Sequence, residues 1–203
     1  LRAQGITHLN VIAASHDHPD HINGLLSVVE NQSFDEFWWP GEKKPSVKML
    51  EILNAVRKKN GTIRTAGSLC VDESLREKWK LEVLWPCAVP EGLSQNDLSF
   101  VLHISAAKRS ALLTGDIEQA AEEVLLNRLN QGLINYFKAD FLKLAHHGSH
   151  TSSTSAFLDY VDPRFAAASA GIRNRFGHPR RQTLDRLKER GVTFFDTIRD
   201  GSV

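Results

Sequence analysis

Six of the chain's nine histidines fall in two short clusters, at 16, 18 and 21 and at 146, 147 and 150. Clustered histidines suggest metal or acid–base chemistry. Ser15-His16-Asp17-His18-Pro19-Asp20-His21 spells H-x-H-x-D-H directly after an apolar run. His16 and His18 are two apart, so extended backbone points both the same way, where they can share one metal. Pro19 favours a turn that brings Asp20 and His21 round to a second position. Three imidazoles and a carboxylate are a nitrogen and oxygen set suited to zinc, manganese or iron.

Further along, Asp116 closes Leu-Leu-Thr-Gly-Asp, where Gly115 lets the backbone turn and present the carboxylate. The same carboxylate is equally placed to cap the helix expected after it. His146 and His147 follow another apolar run, and adjacent residues at a strand end point apart. Arg173 and Arg175 flank Asn174 and precede His178, in a stretch where guanidinium and imidazole donors suit phosphate. Ser149, Thr151, Ser152 and Ser153 offer hydroxyls beside His147. Trp38 and Trp39 are read as packing rather than as base-stacking groups, and His8, His103 and His150 as surface or packed residues. Arg186, Lys188 and Arg190 read as a solvated basic helix face.

The H-x-H-x-D-H motif resembles the signature of the metallo-β-lactamase superfamily. Asn96–Leu102 (NDLSFVL), Leu112–Asp116 (LLTGD), Leu142–Ser152 (LKLAHHGSHTS) and Ser169–Pro179 (SAGIRNRFGHP) are similar, in order, to the β-lactamase-like domain of ComEC-type DNA-uptake proteins and their stand-alone relatives. The resemblance covers nearly the whole chain. It implies a four-layer αβ/βα sandwich whose N-terminal strands are missing here, and two divalent ions, Zn²⁺ or Mn²⁺. The ligands it implies are His16, His18, Asp20, His21, Asp116 as the bridging carboxylate, and one of His146 and His147. His147 is read as the ligand, and His146 as a second-shell or substrate-facing residue. Where relatives carry another histidine, this chain has Gln95-Asn96-Asp97, so it resembles a variant whose first site has only His16 and His18 plus the bridge, in which Asn96 or Asp97 could substitute in part.

The chemistry so implied is two-metal hydrolysis of a phosphodiester by water activated between the ions, with DNA as substrate. Arg173, Arg175 and His178 would face the phosphoryl oxygens, with Asn174 and Ser149 nearby. His178 or Asp20 would pass a proton to the leaving oxygen. Two other readings stay open. One keeps the centre but gives it a small ester, cyclic nucleotide, lactam or thioester. The other is a non-catalytic nucleic-acid-binding domain that uses metal only for folding.

Short elements must carry these loops. Strands are expected over 7–14, 34–39, 62–65, 80–85, 141–145, 165–169 and 192–195, with a hairpin of 98–104 and 110–113 turning near Ala107-Lys108. Helices are expected over 22–30, 46–59, 118–133 and 180–190. Ser46 would cap the second, and Val47, Leu50, Leu53 and Val56 would form its inward stripe. The connection from 66 to 79 reads as polar loop. Strands alternating with helices imply layered α/β architecture in one domain.

Lys and Arg number 25 against 24 Asp and Glu, which excludes a uniformly basic nucleic-acid binder. The balance is an average. Residues 1–163 carry 16 basic and 20 acidic side chains, and residues 164–203 carry nine and four. Two cysteines are too few for a disulfide framework or a thiolate metal cage. No apolar run approaches the roughly 18 residues that cross a bilayer, so a soluble domain is expected. Leu1–Gly5 reads as a helix end and Asp200-Gly201 as a turn into a strand, which suggests a fragment of a longer protein. A stand-alone chain would then sit in the cytoplasm, and a part of a membrane DNA-uptake protein on the outer side. Oligomeric state is not legible.

Overall fold

The computed structural model describes residues 2–87 and 92–201. β1 (His8–Ala13) runs into the first histidine loop, which folds through the one-turn α1 (Pro19–Ile22) into α2 (Leu25–Asn31). β2 (Ser33–Trp39), α3 (Val47–Lys58) and β3 (Thr62–Thr65) follow. β1, β2 and β3 form a three-stranded parallel sheet, in that order, with Ala13 opposite Trp38.

Ser46 caps α3 as expected, its hydroxyl accepting the Met49 N–H at 3.1 Å. The inward stripe differs from expectation: Met49, Ile52, Leu53 and Val56 are buried, whereas Val47 and Leu50 are exposed. Positions 49, 52, 53 and 56 follow the i, i+3, i+4, i+7 pattern of one helix face, and 47 lies off it. These residues pack on Ile12, Phe37 and Trp39, so α2 and α3 cover one face of this sheet.

The connection expected as polar loop contains two short helices, α4 (Ala66–Leu69) and α5 (Glu73–Trp79). Four and seven residues give too little periodicity to read, although Asp72 caps α5 by accepting the Ser74 N–H. β4 (Leu81–Trp85) opens the second sheet. A 3₁₀ turn at Asn96–Leu98 leads into the hairpin β5 (Val101–Ala106) and β6 (Arg109–Leu113), so the strand starts later than expected. Ala107, at φ 52°, makes the hairpin turn where expected.

α6 (Gln119–Asn130) is shorter at both ends than the expected 118–133. β7 (Phe141–Lys143) stops before Leu144, and a 3₁₀ turn at Ala145–Gly148 carries the second histidine pair. An unforeseen helix, α7 (Ser155–Val161), then leads to β8 (Phe165–Ala168), α8 (Arg181–Glu189) and β9 (Thr193–Asp196). The last expected strand reaches residues 202–203, outside the described residues. The second sheet has the order β4-β5-β6-β7-β8-β9, antiparallel through β6 and parallel from β6 to β9.

The two sheets meet across Trp38, Val83 and Phe100, with Val11 and Leu102 packed alongside. Trp38 and Trp39 are both buried, and Trp38 stacks on Trp79 at 5.8 Å, which agrees with a packing role. Beyond the second sheet, Leu125 of α6, Phe157 and Val161 of α7 and Leu187 of α8 close a core with Leu112, Leu142 and Ala166. The architecture is an α/β sandwich with helices outside both sheets. β1, β6, β7 and β8 all end towards one edge, where ligands collect in parallel α/β sheets. No helix of the described residues is long and apolar enough to cross a membrane.

Candidate metal centre

The first loop is anchored before it presents any ligand. Asp17, the buried residue between His16 and His18, accepts both the N–H and the hydroxyl of Ser46 at 2.5 and 2.6 Å. Its own N–H donates to Glu42 at 3.2 Å, and its carbonyl accepts from Gln95 at 3.0 Å. The start of α3 therefore fixes the motif. Asp17 was visible only as an unassigned letter inside the motif, because its partners lie 25 residues or more away.

Asp116 comes from the other sheet. Gly115, at φ +51°, lies where an added Cβ would sit 2.5 Å from the Ser99 Cβ, so only glycine lets the turn close on this segment. The Ser99 hydroxyl accepts the Asp116 N–H at 3.0 Å. Asp116 does not cap the following helix. That work falls to Asp97, whose Oδ1 accepts from the N–H groups of Glu118 and Ala121 at 2.9 and 3.3 Å. Asp97 is thus committed to α6 and does not substitute for a histidine. Asn96 lies outside the cluster described next, with its Oδ1 buried and unpartnered.

Asp20, His21, Asp116 and His147 offer one ligand atom each, all within 4.8 Å of one another. Asp116 Oδ2 lies 3.2 Å from His21 Nε2, 3.4 Å from His147 Nε2 and 4.0 Å from His16 Nε2. Asp20 Oδ2 lies 3.3 Å from His147 Nε2. His16 and His18 adjoin this group with ring centroids 4.6 Å apart, and His16 is 4.2 Å from the His21 ring. The six expected ligands thus divide into four in one group and two beside it.

The far nitrogens are held by groups the sequence did not reveal. The Ser15 hydroxyl contacts His21 Nδ1 at 3.0 Å and His16 Nδ1 at 3.3 Å, and the Ser169 carbonyl accepts from His147 Nδ1 at 2.7 Å. A carbonyl only accepts, so His147 Nδ1 is a donor and Nε2 is the nitrogen turned towards the group. Nε2 lies 3.3 and 3.4 Å from the oxygens of Asp20 and Asp116 and 3.2 Å from His21 Nε2. Imidazole nitrogens and carboxylate oxygens gathered this closely make a donor set that a shared cation would satisfy, and tied Nδ1 atoms are the usual support of ligating imidazoles. His16 Nε2 and Asp116 Oδ1 are buried with no partner. The residues fit a divalent ion.

The electrostatics agree. Burial lowers the His16 pKa to about 3, helped by the neighbouring His21. Burial alone would raise the Asp116 pKa, but the hydrogen bond from His21 and the fields of His147, His21 and His16 hold it below the usual carboxylate range.

His146 and His147 both adopt left-handed backbone, at φ 46° and 54°, a conformation that costs non-glycine residues on the order of 1–3 kcal/mol each. The turn sends the two rings apart. His147 enters the four-residue group, while His146 Nδ1 meets Glu118 Oε1 at 3.1 Å and its ring lies 5.4 Å from that of His178. Glu118 also accepts from the Thr151 hydroxyl. As the first residue after the Asp-Ile pair it offered no sequence signal.

Several expected substrate contacts are absorbed into the loops. Ser149 is buried and bonded to Thr151 at 2.8 Å, and Ser152 donates to the Ala145 carbonyl, so these hydroxyls build the turn. Asn174 spends its amide inside its own loop, donating to Gly171 and His178 carbonyls and accepting the His178 N–H at 2.7 Å. It positions His178 and leaves nothing for a substrate. Arg186 donates to the carbonyls of His150, Ser152 and Ser153, and Arg190 pairs with Asp159 at 2.7 Å, so neither belongs to a free solvated face. Glu122, fully buried, accepts from the N–H groups of Ser153 and Thr154. Burial raises its pKa.

Arg173 and Arg175 are exposed, with Arg175 lying 4.9 Å over the Phe176 ring. His178 lines a cavity of about 420 Å³ together with Asp20, His147, Ala170 and Phe176. Burial and the charges of His146 and Arg180 lower its pKa to about 4, so the ring is neutral at pH 7. Among the other histidines, His103 contacts the Lys138 carbonyl and His8 contacts Ser33, as structural groups.

No family model matches the chain. It is 29% identical over 205 residues to ComE operon protein 3 of Bacillus subtilis, covering all of this chain and 25% of that protein. It is 28% identical over 207 residues to recombination protein 2 of Haemophilus influenzae, covering all of this chain and 23% of the relative. Over 113 residues, 56% of this chain and 16% of the relative, it is 33% identical to competence protein ComA of Neisseria gonorrhoeae. The chain spans a quarter or less of the length of these curated relatives, and what it resembles is that portion of proteins named for competence and recombination.

Proposed function

We propose that this chain is a metal-dependent hydrolase of the metallo-β-lactamase type that cleaves phosphodiester bonds in DNA. The observation that carries the reading is the convergence of Asp20, His21, Asp116 and His147, whose ligand atoms all lie within 4.8 Å of one another. Asp20, His21, Asp116 and His147 would hold one ion, and His16 and His18, which adjoin this group, would help hold a second. Zn²⁺ or Mn²⁺ suits these nitrogen and oxygen donors. Bound there, such ions supply Lewis acidity towards a phosphoryl oxygen and lower the pKa of water from 15.7 towards ~7.

The chain's own groups complete the site. Asp116, tied through its N–H to Ser99, is held ionised and immobile between the imidazoles. The neutral His178 ring borders the cavity that reaches His147, where it can donate or accept one hydrogen bond at a substrate oxygen. Arg173 and Arg175 stand exposed on the same loop and supply positive charge for the strand. A DNA substrate is favoured by this basic loop and by similarity to proteins named for competence and recombination.

The test is a substrate profile of one metal-free preparation reloaded with Mn²⁺ or Zn²⁺. Cleavage of single- or double-stranded DNA is expected, abolished by EDTA. Intact DNA alongside hydrolysis of a lactam or thioester would overturn the reading. So would DNA binding without any hydrolysis and a metal effect confined to thermal stability.

A further inference from the structure

The cavity beside the metal group has a wall that metal chemistry does not use. Ala170, Gly171 and Phe176 make it up, in a cavity that Asp20 and His147 also line, and Phe176 remains 54% exposed. The ring thus leaves an apolar face open to a ligand entering beside the polar groups. Its loop is not loose: Asn174 makes three hydrogen bonds across the turn, and Arg180 N–H donates to the Gly148 carbonyl at 2.8 Å. Phe176 is thus carried on a hydrogen-bonded turn.

Three flat groups follow one another here. The Arg175 guanidinium lies 4.9 Å over the Phe176 ring, and the His178 imidazole lies 5.8 Å away at an interplanar angle of 14°. Arg175 and Arg173 have no carboxylate partner among the described residues. We propose that this wall is a nucleobase subsite: an unpaired base of single-stranded DNA stacks on Phe176 while Arg175 swings off the ring to meet the adjoining phosphate. The inference rests on the phosphodiesterase reading and names its preferred substrate form.

The physical argument selects single strands. Inside a duplex both faces of a base are covered by its neighbours, so away from duplex ends only an unpaired base offers a free face to an aromatic ring. A cavity of about 420 Å³ is at the small end of ligand sites, the scale of one nucleotide. His147 and Asp20 line the same cavity, so a base held on Phe176 would bring its phosphate towards the candidate metal group. Exchanging a guanidinium–ring contact for base stacking plus an arginine–phosphate pair replaces one contact with two.

The experiment reads binding in EDTA, so no outcome depends on turnover. The probe is a short oligodeoxynucleotide carrying 2-aminopurine at an internal position, used single-stranded and as a duplex in which that base is stacked on both faces. The single strand is expected to bind roughly ten-fold or more tightly than the duplex, with quenching of the fluorescent base. Phe176→Leu, which keeps the apolar volume but removes the ring, is expected to weaken single-strand binding about ten-fold and abolish the quench, and Phe176→Trp to retain both. Arg175→Gln should weaken both forms of DNA and shallow the salt dependence by about one charge.

Equal affinity for single strand and duplex, no binding at all, or unchanged quenching in Phe176→Leu would overturn the subsite. A chain that binds and quenches the probe yet cleaves no DNA with either metal supports the subsite and refutes only the hydrolase reading. A chain that cleaves DNA but ignores Phe176→Leu refutes only the subsite.

Discussion

The Nδ1 atom of His147 lies 2.7 Å from the carbonyl oxygen of Ser169, and this bond fixes which nitrogen of the ring is free. His147→Ala removes that nitrogen, and Asp116→Asn removes the carboxylate charge it faces. Both variants are expected to lose at least ~100-fold in Mn²⁺ or Zn²⁺ affinity, with DNA hydrolysis falling in step. Titration calorimetry and a cleavage assay check this, with far-UV circular dichroism confirming the fold. Unchanged metal affinity in both variants would remove the centre from these residues.

Glu118 holds His146 Nδ1 and the Thr151 hydroxyl with one oxygen. Glu118→Ala is expected to cost about 1–3 kcal/mol in urea unfolding, because two donors lose a charged acceptor. If the pair also positions His146 for the reaction, kcat falls about ten-fold with KM nearly constant. Glu118→Gln, which keeps an acceptor, should recover part of the stability and of kcat. A Glu118→Ala protein with wild-type unfolding and kcat would show the contact idle.

The loop after the second histidine pair hangs on Glu122 and Arg186, both reaching in from helices. Glu122→Ala leaves the Ser153 and Thr154 N–H groups without their acceptor, and a loss of about 3 kcal/mol is expected. Thermal unfolding measures it. A loss under about 0.5 kcal/mol would mean that water replaces the carboxylate.

Acid stability follows from the lowered histidines. His178 takes up a proton below about 4 in the fold but near 6.5 in the unfolded chain, as burial opposes its charge. Between those values the unfolded state binds more protons, so stability falls as pH drops from about 6.5 towards about 4. His16 acts with the same sign down to about 3. Glu122, whose pKa is raised, has the opposite sign and loses stability as pH climbs through its own range. His178→Asn should flatten the acid limb of Tm against pH, measured in EDTA; a limb of unchanged slope would assign it elsewhere.

Gly148 sits at φ +83°, and an added Cβ would lie 2.7 Å from the Cβ of Pro179. Gly148→Ala is expected to destabilise by about 1–3 kcal/mol and to push the Arg173–His178 loop away from the histidines. Weaker DNA binding with intact metal affinity is the signature to look for. Equal loss of both would place the damage in the metal group.

The sequence reveals what is local. H-x-H-x-D-H, the Gly-Asp strand end and the His-His pair each announce themselves within a few residues, and the structure brings His21, Asp116 and His147 together. The layered α/β arrangement follows from alternating apolar runs. Less was legible where partners are distant. Asp97 and Asp116 are both acidic residues before α6, and only the hydrogen bonds tell which one caps it. Ser149 and Asn174 look like substrate groups because their hydroxyl and amide are polar, yet the loop consumes them. The Ser169 carbonyl is invisible in principle, since every residue has one. α4, α5 and α7 escaped notice because helices of four to seven residues owe their existence to packing rather than to pattern.

His21 and His147 meet at 3.2 Å across 126 residues of chain. Sequence-distant contacts are slow to form, because a large loop must close before any contact rewards it. The centre therefore belongs to the late part of folding, after each sheet has gathered its own helices. Tryptophan burial at Trp39 and Trp85, each within one sheet's own core, should recover ahead of metal affinity on refolding, and an ion arriving early would act as a kinetic clasp holding two finished halves together.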